Sequence, residues 1–161
     1  MKRLLLVRHG KSSWESPIND KGRPLINRGI LDAHLVSAAI QIDLPQKYII
    51  WSSSAKRTSE TAVIFAQNIS YPIENVVFKD DLYTFNSAEL QKVIKTCNDN
   101  IDYLMLFGHN NAISDFVNKF GTIFIENVPT AGLVLIEFDC NSWENIKNGV
   151  TKKVIFPKDI R

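Results

Sequence analysis

A chain of 161 residues with 45% apolar content can bury one sizeable core and falls in the usual single-domain range of about 50–250 residues, so one domain spanning residues 1–161 is expected. Nineteen Lys and Arg against 17 Asp and Glu leave a net charge of +2, with the signs interspersed along the chain; no basic stripe stands out, and nucleic acid is not expected as a partner. Cys97 and Cys140 lie far apart and outside any C-x-x-C pattern, which argues against a zinc ribbon or a redox pair and reads as two buried thiols.

The chain opens on Met1-Lys2-Arg3 and the apolar run Leu4 to Val7, too short for the roughly 7–15 residues of a secretory h-region. No later run approaches the roughly 18–20 apolar residues of a membrane helix, so a cytoplasmic protein with no membrane partner is expected. Leu4 to Val7 reads as a buried strand, yet it ends in Arg8-His9-Gly10, and burying a cation or an unpaired imidazole costs several kcal/mol unless something compensates. Ser13 to Gly22 is polar and carries Pro and Gly, Arg23-Pro24-Leu25 leads on into Asn27-Arg28-Gly29, and the whole stretch reads as loop. Apolar spacing then predicts a helix over Ile30 to Ile42, stopped before Pro45, with His34 on its surface. Tyr48 to Trp51 reads as a second buried strand, and Ser52-Ser53-Ser54 supplies cap candidates for a helix over Ala55 to Asn68. Lys56 and Arg57 sit in its first turn, where the positive end of the helix dipole disfavours cations; a bound anion would relieve the conflict.

Further on, Ile73 to Phe78 reads as a short edge strand, Asp80 to Tyr83 as a loop, and Ser87 to Cys97 as a helix capped by Asn86 or Ser87. Ile101 to Phe107 is another continuous apolar strand, followed by Gly108-His109-Asn110 and a helix over Ala112 to Lys119. Leu133 to Phe138 and Trp143 to Val150 read as a hairpin or two late strands. Apolar strands alternating with helices predict an α/β protein, a three-layer α/β/α sandwich with a mostly parallel central sheet.

Arg8-His9, Arg57 and His109 then share one address, at or just past the carboxyl end of a strand and before a helix, where open α/β sheets bind ligands. Two arginines and two imidazoles, with no Cys cluster and no carboxylates at ligand spacing, describe an oxyanion site rather than a metal site. Phosphate is the natural guest, because the guanidinium fork matches its oxygens. Neighbouring cations would hold a histidine neutral at pH 7, with a lone pair able to attack phosphorus.

With these residues assembled, the chain resembles the histidine phosphatase superfamily, which includes the cofactor-dependent phosphoglycerate mutases. Arg8-His9-Gly10 matches its R-H-G signature. Arg8 to Trp14, Asp20, Arg23-Pro24-Leu25, Arg28-Gly29, Ser53 to Thr58, Glu60-Thr61-Ala62, Leu82-Tyr83, Phe107 to Asn110 and Val128 to Gly132 look, in that order, like its SixA-type phosphohistidine phosphatase branch. The resemblance implies a phosphoglycerate mutase-like fold and no cofactor or metal. It implies that His9 is the nucleophile and that Arg8, Arg57 and His109 bind the phosphoryl group, His109 as a cation or donor. Gly10 would fix the tautomer of His9 through its carbonyl; Ser12 would lie near the phosphate and the Asn110 backbone N–H would add a donor.

Two departures from the mutases matter. Glu15 stands where they carry Asn, and Leu82-Tyr83-Thr84 stands where they carry an acid in L-x-E. Asp81 or Glu89 could substitute as general acid, although a solvated loop acid and a helix-surface carboxylate are the better readings of the two. An alkoxide leaving group needs a proton donor worth roughly 10²–10⁴ in rate, whereas the imidazole of a phosphohistidine is itself basic. The short interval between Arg57 and His109 leaves little room for a lid. These features favour a phosphohistidine-containing protein, such as a histidine phosphotransfer domain, as substrate; a small phosphoester, or a non-catalytic phosphate-binding role, are the alternatives.

Overall fold

The continuous apolar runs of the sequence become the central strands of a six-stranded sheet. The computed structural model describes residues 1–15 and 19–161. Its elements, in chain order, are β1 (Lys2–Arg8), α1 (Asn27–Ile40), β2 (Ile49–Ser53), α2 (Lys56–Asn68), β3 (Val77–Lys79), α3 (Ser87–Ile94), β4 (Tyr103–Gly108), α4 (Ala112–Phe120), β5 (Leu133–Phe138) and β6 (Val150–Ile155). The strand order is β3-β2-β4-β1-β5-β6. The first four strands run parallel, and at one side β5 pairs antiparallel with β1 and β6 antiparallel with β5. The expected three layers are present, with a sheet that is mixed rather than wholly parallel.

Side chains alternate across the pleat, so β1 feeds both faces. Leu4 and Leu6 pack with α3 and α4, through residues such as Leu90, Ile113 and Phe116. Leu5 and Val7 pack with α1 and α2, through Val36, Phe65 and Ala66. Each such fully buried side chain contributes about 1.5–3 kcal/mol of burial free energy. This explains why Leu4 to Val7 of β1 and the whole of β4 are apolar, while β6, at the sheet edge, carries Thr151, Lys152 and Lys153.

Helix α1 begins at Asn27 rather than Ile30. Gly29, which reads as loop in the sequence, lies inside it, and glycine is needed there because the helix passes close to the loop after β1; a Cβ at Gly29 would sit 2.2 Å from the Lys11 carbonyl oxygen. Trp143–Asn145 forms a 3₁₀ turn instead of a strand, with the Ser142 side chain accepting from the Glu144 N–H. The Trp143 indole is fully buried and donates to the Ile101 carbonyl at 2.7 Å, so its aromatic character serves the core and the last strand begins only at Val150. Among the described residues no helix is long and apolar enough to cross a membrane.

Candidate active site

β2, β4 and β1 lie side by side and parallel, with Arg8 opposite Gly108 and Ser52 opposite Phe107. Whatever follows these strands must therefore meet. His9 follows β1, His109 follows β4, and Arg57 stands in the first turn of α2 after β2. The two imidazole centroids are 5.3 Å apart, and the Arg57 guanidinium lies between them.

Four of the five N–H groups of Arg57 are accounted for. Nε donates to His9 Nε2 at 3.3 Å, Nη2 to His109 Nδ1 at 3.3 Å and to Asp20 Oδ2 at 3.1 Å, and Nη1 to the Asp20 carbonyl at 2.6 Å. The Thr61 hydroxyl donates to the Arg57 carbonyl and accepts from the Gly10 N–H, tying α2 to the loop after β1. Cation and helix start are reconciled here by an anion belonging to the chain itself, Asp20.

His9 Nδ1 lies 2.6 Å from the Gly10 carbonyl oxygen. A carbonyl only accepts, so the proton sits on Nδ1 and Nε2 keeps its lone pair. Burial, above all, and then the cations Arg57, Arg8 and Arg23 lower the pKa of His9 to about 3, although the Gly10 bond works the other way. His109 is lowered to about 2 by burial first, then by His9 and Arg57. Both rings are neutral at pH 7, as the sequence suggests for His9, with desolvation rather than charge as the leading cause; for His109, expected as a cation or donor, burial leaves no cation. Arg57 can only donate to His109 Nδ1, which leaves Nε2–H to donate to Ser53 Oγ at 2.8 Å. Ser53 thus orients a ring; α2 has no side-chain cap, and its N-cap residue is Ala55.

Arg8 donates through Nη1 to the Val128 carbonyl at 2.9 Å, and its buried Nε has no partner among the described residues. Ser12 is buried and accepts from Arg23 Nη1 at 2.8 Å. Arg23 stacks on the exposed Trp14 ring, 3.6 Å from its centroid. The Asn110 side chain caps inward, accepting from the Ser114 N–H and hydroxyl and donating to Asn127. Its backbone N–H has no partner among the described residues. Asp81 is exposed and Glu89 accepts from Thr84 at 2.5 Å; neither contacts the two histidines or Arg57 through a hydrogen bond.

The carboxylate that does reach the cluster is Asp20, which the sequence reading named only within a motif. Its Oδ2 takes Arg57 and the Tyr83 hydroxyl, and its Oδ1 takes Arg23 Nε and Nη2 at 3.2 and 3.1 Å. Burial opposes its ionisation, but Tyr83, Arg57 and Arg23 together hold its carboxyl at about 2. Tyr83 and Phe85 pack edge-on against His109. His9 is only 7% exposed and Arg57 1%, so the cluster is largely withdrawn from solvent. Among the described residues no group of His, Cys, Asp and Glu is placed to hold a metal ion.

A family model, the histidine phosphatase superfamily (branch 1), matches residues 4–93. An uncharacterised chloroplast protein of Arabidopsis thaliana is 31% identical over 154 residues, covering 89% of this chain and 69% of that one. Among solved structures, a protein assigned as the phosphohistidine phosphatase SixA of Agrobacterium tumefaciens superposes with a TM-score of 0.81 at 21% identity, covering 97% of this chain and 98% of the other. A protein histidine phosphatase SixA complexed with tungstate superposes with a TM-score of 0.79 at 16% identity, covering 99% of both chains. At such identities the structural likeness speaks for the fold.

Proposed function

The chain belongs to the histidine phosphatase superfamily, and within it we propose a phosphohistidine phosphatase that passes a phosphoryl group from a protein imidazole to His9 and then to water. The observation that carries this reading is the His9 ring: Nδ1 is committed to the Gly10 carbonyl, so the lone pair is on Nε2, where it accepts from Arg57 Nε inside a cluster of cations and is released to phosphorus when Arg57 turns to the phosphoryl oxygens.

In the first step Nε2 forms a bond to phosphorus while the bond from phosphorus to the leaving nitrogen breaks, its electron pair returning to the departing ring. Arg8 and Arg57 offset the charge on the equatorial oxygens, as fixed donors in a water-poor site do best. The Arg8 Nε–H and the Asn110 backbone N–H are donors with no protein partner among the described residues, which suits them to phosphoryl oxygens. His109 presents an acceptor at Nδ1, so a phosphoryl group that binds as the monoanion can pass its proton to Nδ1, leaving the dianion opposite an imidazolium donor. The water oxygen then bonds to the phosphorus on His9 as the P–Nε2 bond breaks, its electron pair returning to Nε2, and the water proton leaves on inorganic phosphate. The reading assigns the metal no role, because guanidinium groups supply the positive charge.

A substrate whose leaving atom is a basic nitrogen suits a site with Thr84 where mutases carry an acid. The test is a substrate panel containing a phosphohistidine peptide, sugar phosphates and an aryl phosphate, with acid-labile label trapped on the protein during turnover. The expected result is highest kcat/KM for the phosphohistidine peptide, label on His9, and loss of at least 10³-fold in kcat for His9→Ala. Undiminished turnover by His9→Ala would falsify the reading.

A further inference from the structure

Asp20 is placed where a phosphoryl group would have to go. Its two oxygens bridge two guanidinium groups, Oδ2 on Arg57 and Oδ1 on Arg23, with the Tyr83 hydroxyl also on Oδ2. Two oxygens of a phosphoryl group would span arginines in the same way. The Arg57 side chain is 1% exposed, and its Nη2 is shared between Asp20 and His109. An incoming anion can take Nη2 only by moving the carboxylate.

We infer that Asp20 is a specificity-determining residue that competes with phosphoryl groups for Arg57 and screens substrates by their charge. The inference rests on the phosphoryl-binding role proposed above for Arg57. A phosphoryl group that displaces Oδ2 from Arg57 leaves the carboxylate tethered by Arg23, close beside the new dianion. Like charges at such a distance repel by kcal/mol amounts even with substantial screening. Free phosphate, and small phosphoesters carrying a second anionic group, therefore bind weakly.

A leaving group with positive charge meets the opposite situation. A phosphohistidine ring protonated on its second nitrogen presents an N–H to the released carboxylate. The transfer then balances without a dedicated acid. The His9 Nε2 pair bonds to phosphorus, the P–N bond breaks with its electrons going to the leaving nitrogen, and the ring departs as neutral imidazole because its other nitrogen already holds the proton. Asp20 favours this protonated form of the substrate and, once product phosphate is alone in the site, helps to expel it.

Most substitutions beside a ligand weaken binding, so the expected sign is discriminating. Equilibrium calorimetry with inorganic phosphate on the full chain is expected to show Asp20→Asn binding about tenfold more tightly than the parent. Tyr83→Phe, which removes one of the bonds holding Asp20 in place, is expected to shift affinity in the same direction by a smaller factor and guards against an asparagine that donates to phosphate itself. The ratio of kcat/KM for a phosphohistidine peptide to that for 3-phosphoglycerate is expected to fall about tenfold in Asp20→Asn. Unchanged or weaker phosphate binding in both variants overturns the inference, as does an unchanged ratio. A parent protein that turns over neither substrate, while Asp20→Asn binds phosphate more tightly, leaves Asp20 in this role and removes the phosphatase reading.

Discussion

His9 and His109 are buried imidazoles held neutral next to buried guanidinium groups, and that state has a cost that depends on pH. In the unfolded chain each ring has a pKa of about 6.5, whereas the folded values lie near 3 and 2. As pH falls through about 6.5 the unfolded chain takes up protons that the folded chain refuses, so the stability these rings contribute is complete above that value and is lost on acidification. The expected loss between about pH 7 and 5 is about 2 kcal/mol for each ring. Urea denaturation across that range checks it, and His109→Asn should halve the slope; a flat profile would contradict a neutral, buried pair. Arg8, His9, Arg57 and His109 were legible in the sequence because each interrupts a pattern that has no structural use for it, a polar group closing an apolar strand or a cation opening a helix. Asp20 and Tyr83 were not. They sit in loops without periodicity, and their roles come from partners 37 and 63 residues apart, Arg57 for the first and Asp20 for the second, distances over which composition and spacing carry no signal.

The site also depends on how close two elements come. The loop after β1 runs under the start of α1, where a Cβ at Gly10 would lie 2.8 Å from the Gly29 carbonyl oxygen and one at Gly29 would lie 2.2 Å from that of Lys11. Backbone cannot yield as a flexible side-chain tip does, so Gly29→Ala must push α1 and the Gly10 loop apart. Overpacking of this kind costs about 1–3 kcal/mol. Because the Gly10 carbonyl fixes the His9 tautomer, a shift of the loop also reaches the chemistry, and kcat for the best substrate is expected to fall with stability. Chemical denaturation and steady-state kinetics on Gly29→Ala check both; a variant as stable as the parent would show that the contact is softer than the backbone geometry implies. The same contact explains why the sequence misplaced the start of α1. Glycine reads as a break where conformational freedom is the issue, but here it is demanded by proximity, which only the fold reveals. Trp143 misled in the other direction: aromatic residues favour strands on average, yet the burial that produces the average can be satisfied in a 3₁₀ turn.

At the scale of the whole molecule, chemistry and packing occupy opposite ends of the sheet. β1 spans from Lys2 to Arg8, about 20 Å at strand rise. At its far end Lys2 is buried, bonded through Nζ to the Asp99 and Ile101 carbonyls and to Asp102, and Trp143 donates to the same Ile101 carbonyl. The parallel register of β1, β4 and β2 was legible as alternating strands and helices, and it is this register that gathers the site at one pole. The pairing of β5 with β6 was legible as one of two readings, a hairpin or two late strands, whereas the antiparallel pairing of β5 with β1 was not, since strand direction follows from connections and leaves little trace in composition. Separation by a rigid sheet makes the two poles energetically independent. Trp143→Phe should lose about 1–3 kcal/mol through the missing indole bond and the space it leaves, with kcat/KM unchanged. Saturating phosphate at about 100 times its dissociation constant stabilises a folded protein by about 2.7 kcal/mol, and that increment should be the same in Trp143→Phe and parent within about 0.5 kcal/mol, as for residues without shared partners. Thermal unfolding of both proteins with and without phosphate measures the four corners of this cycle. An increment that shrinks in the variant would mean that the packing of the far end sets the geometry of the strand ends, and the pocket would then be a property of the whole sheet rather than of its carboxyl edge.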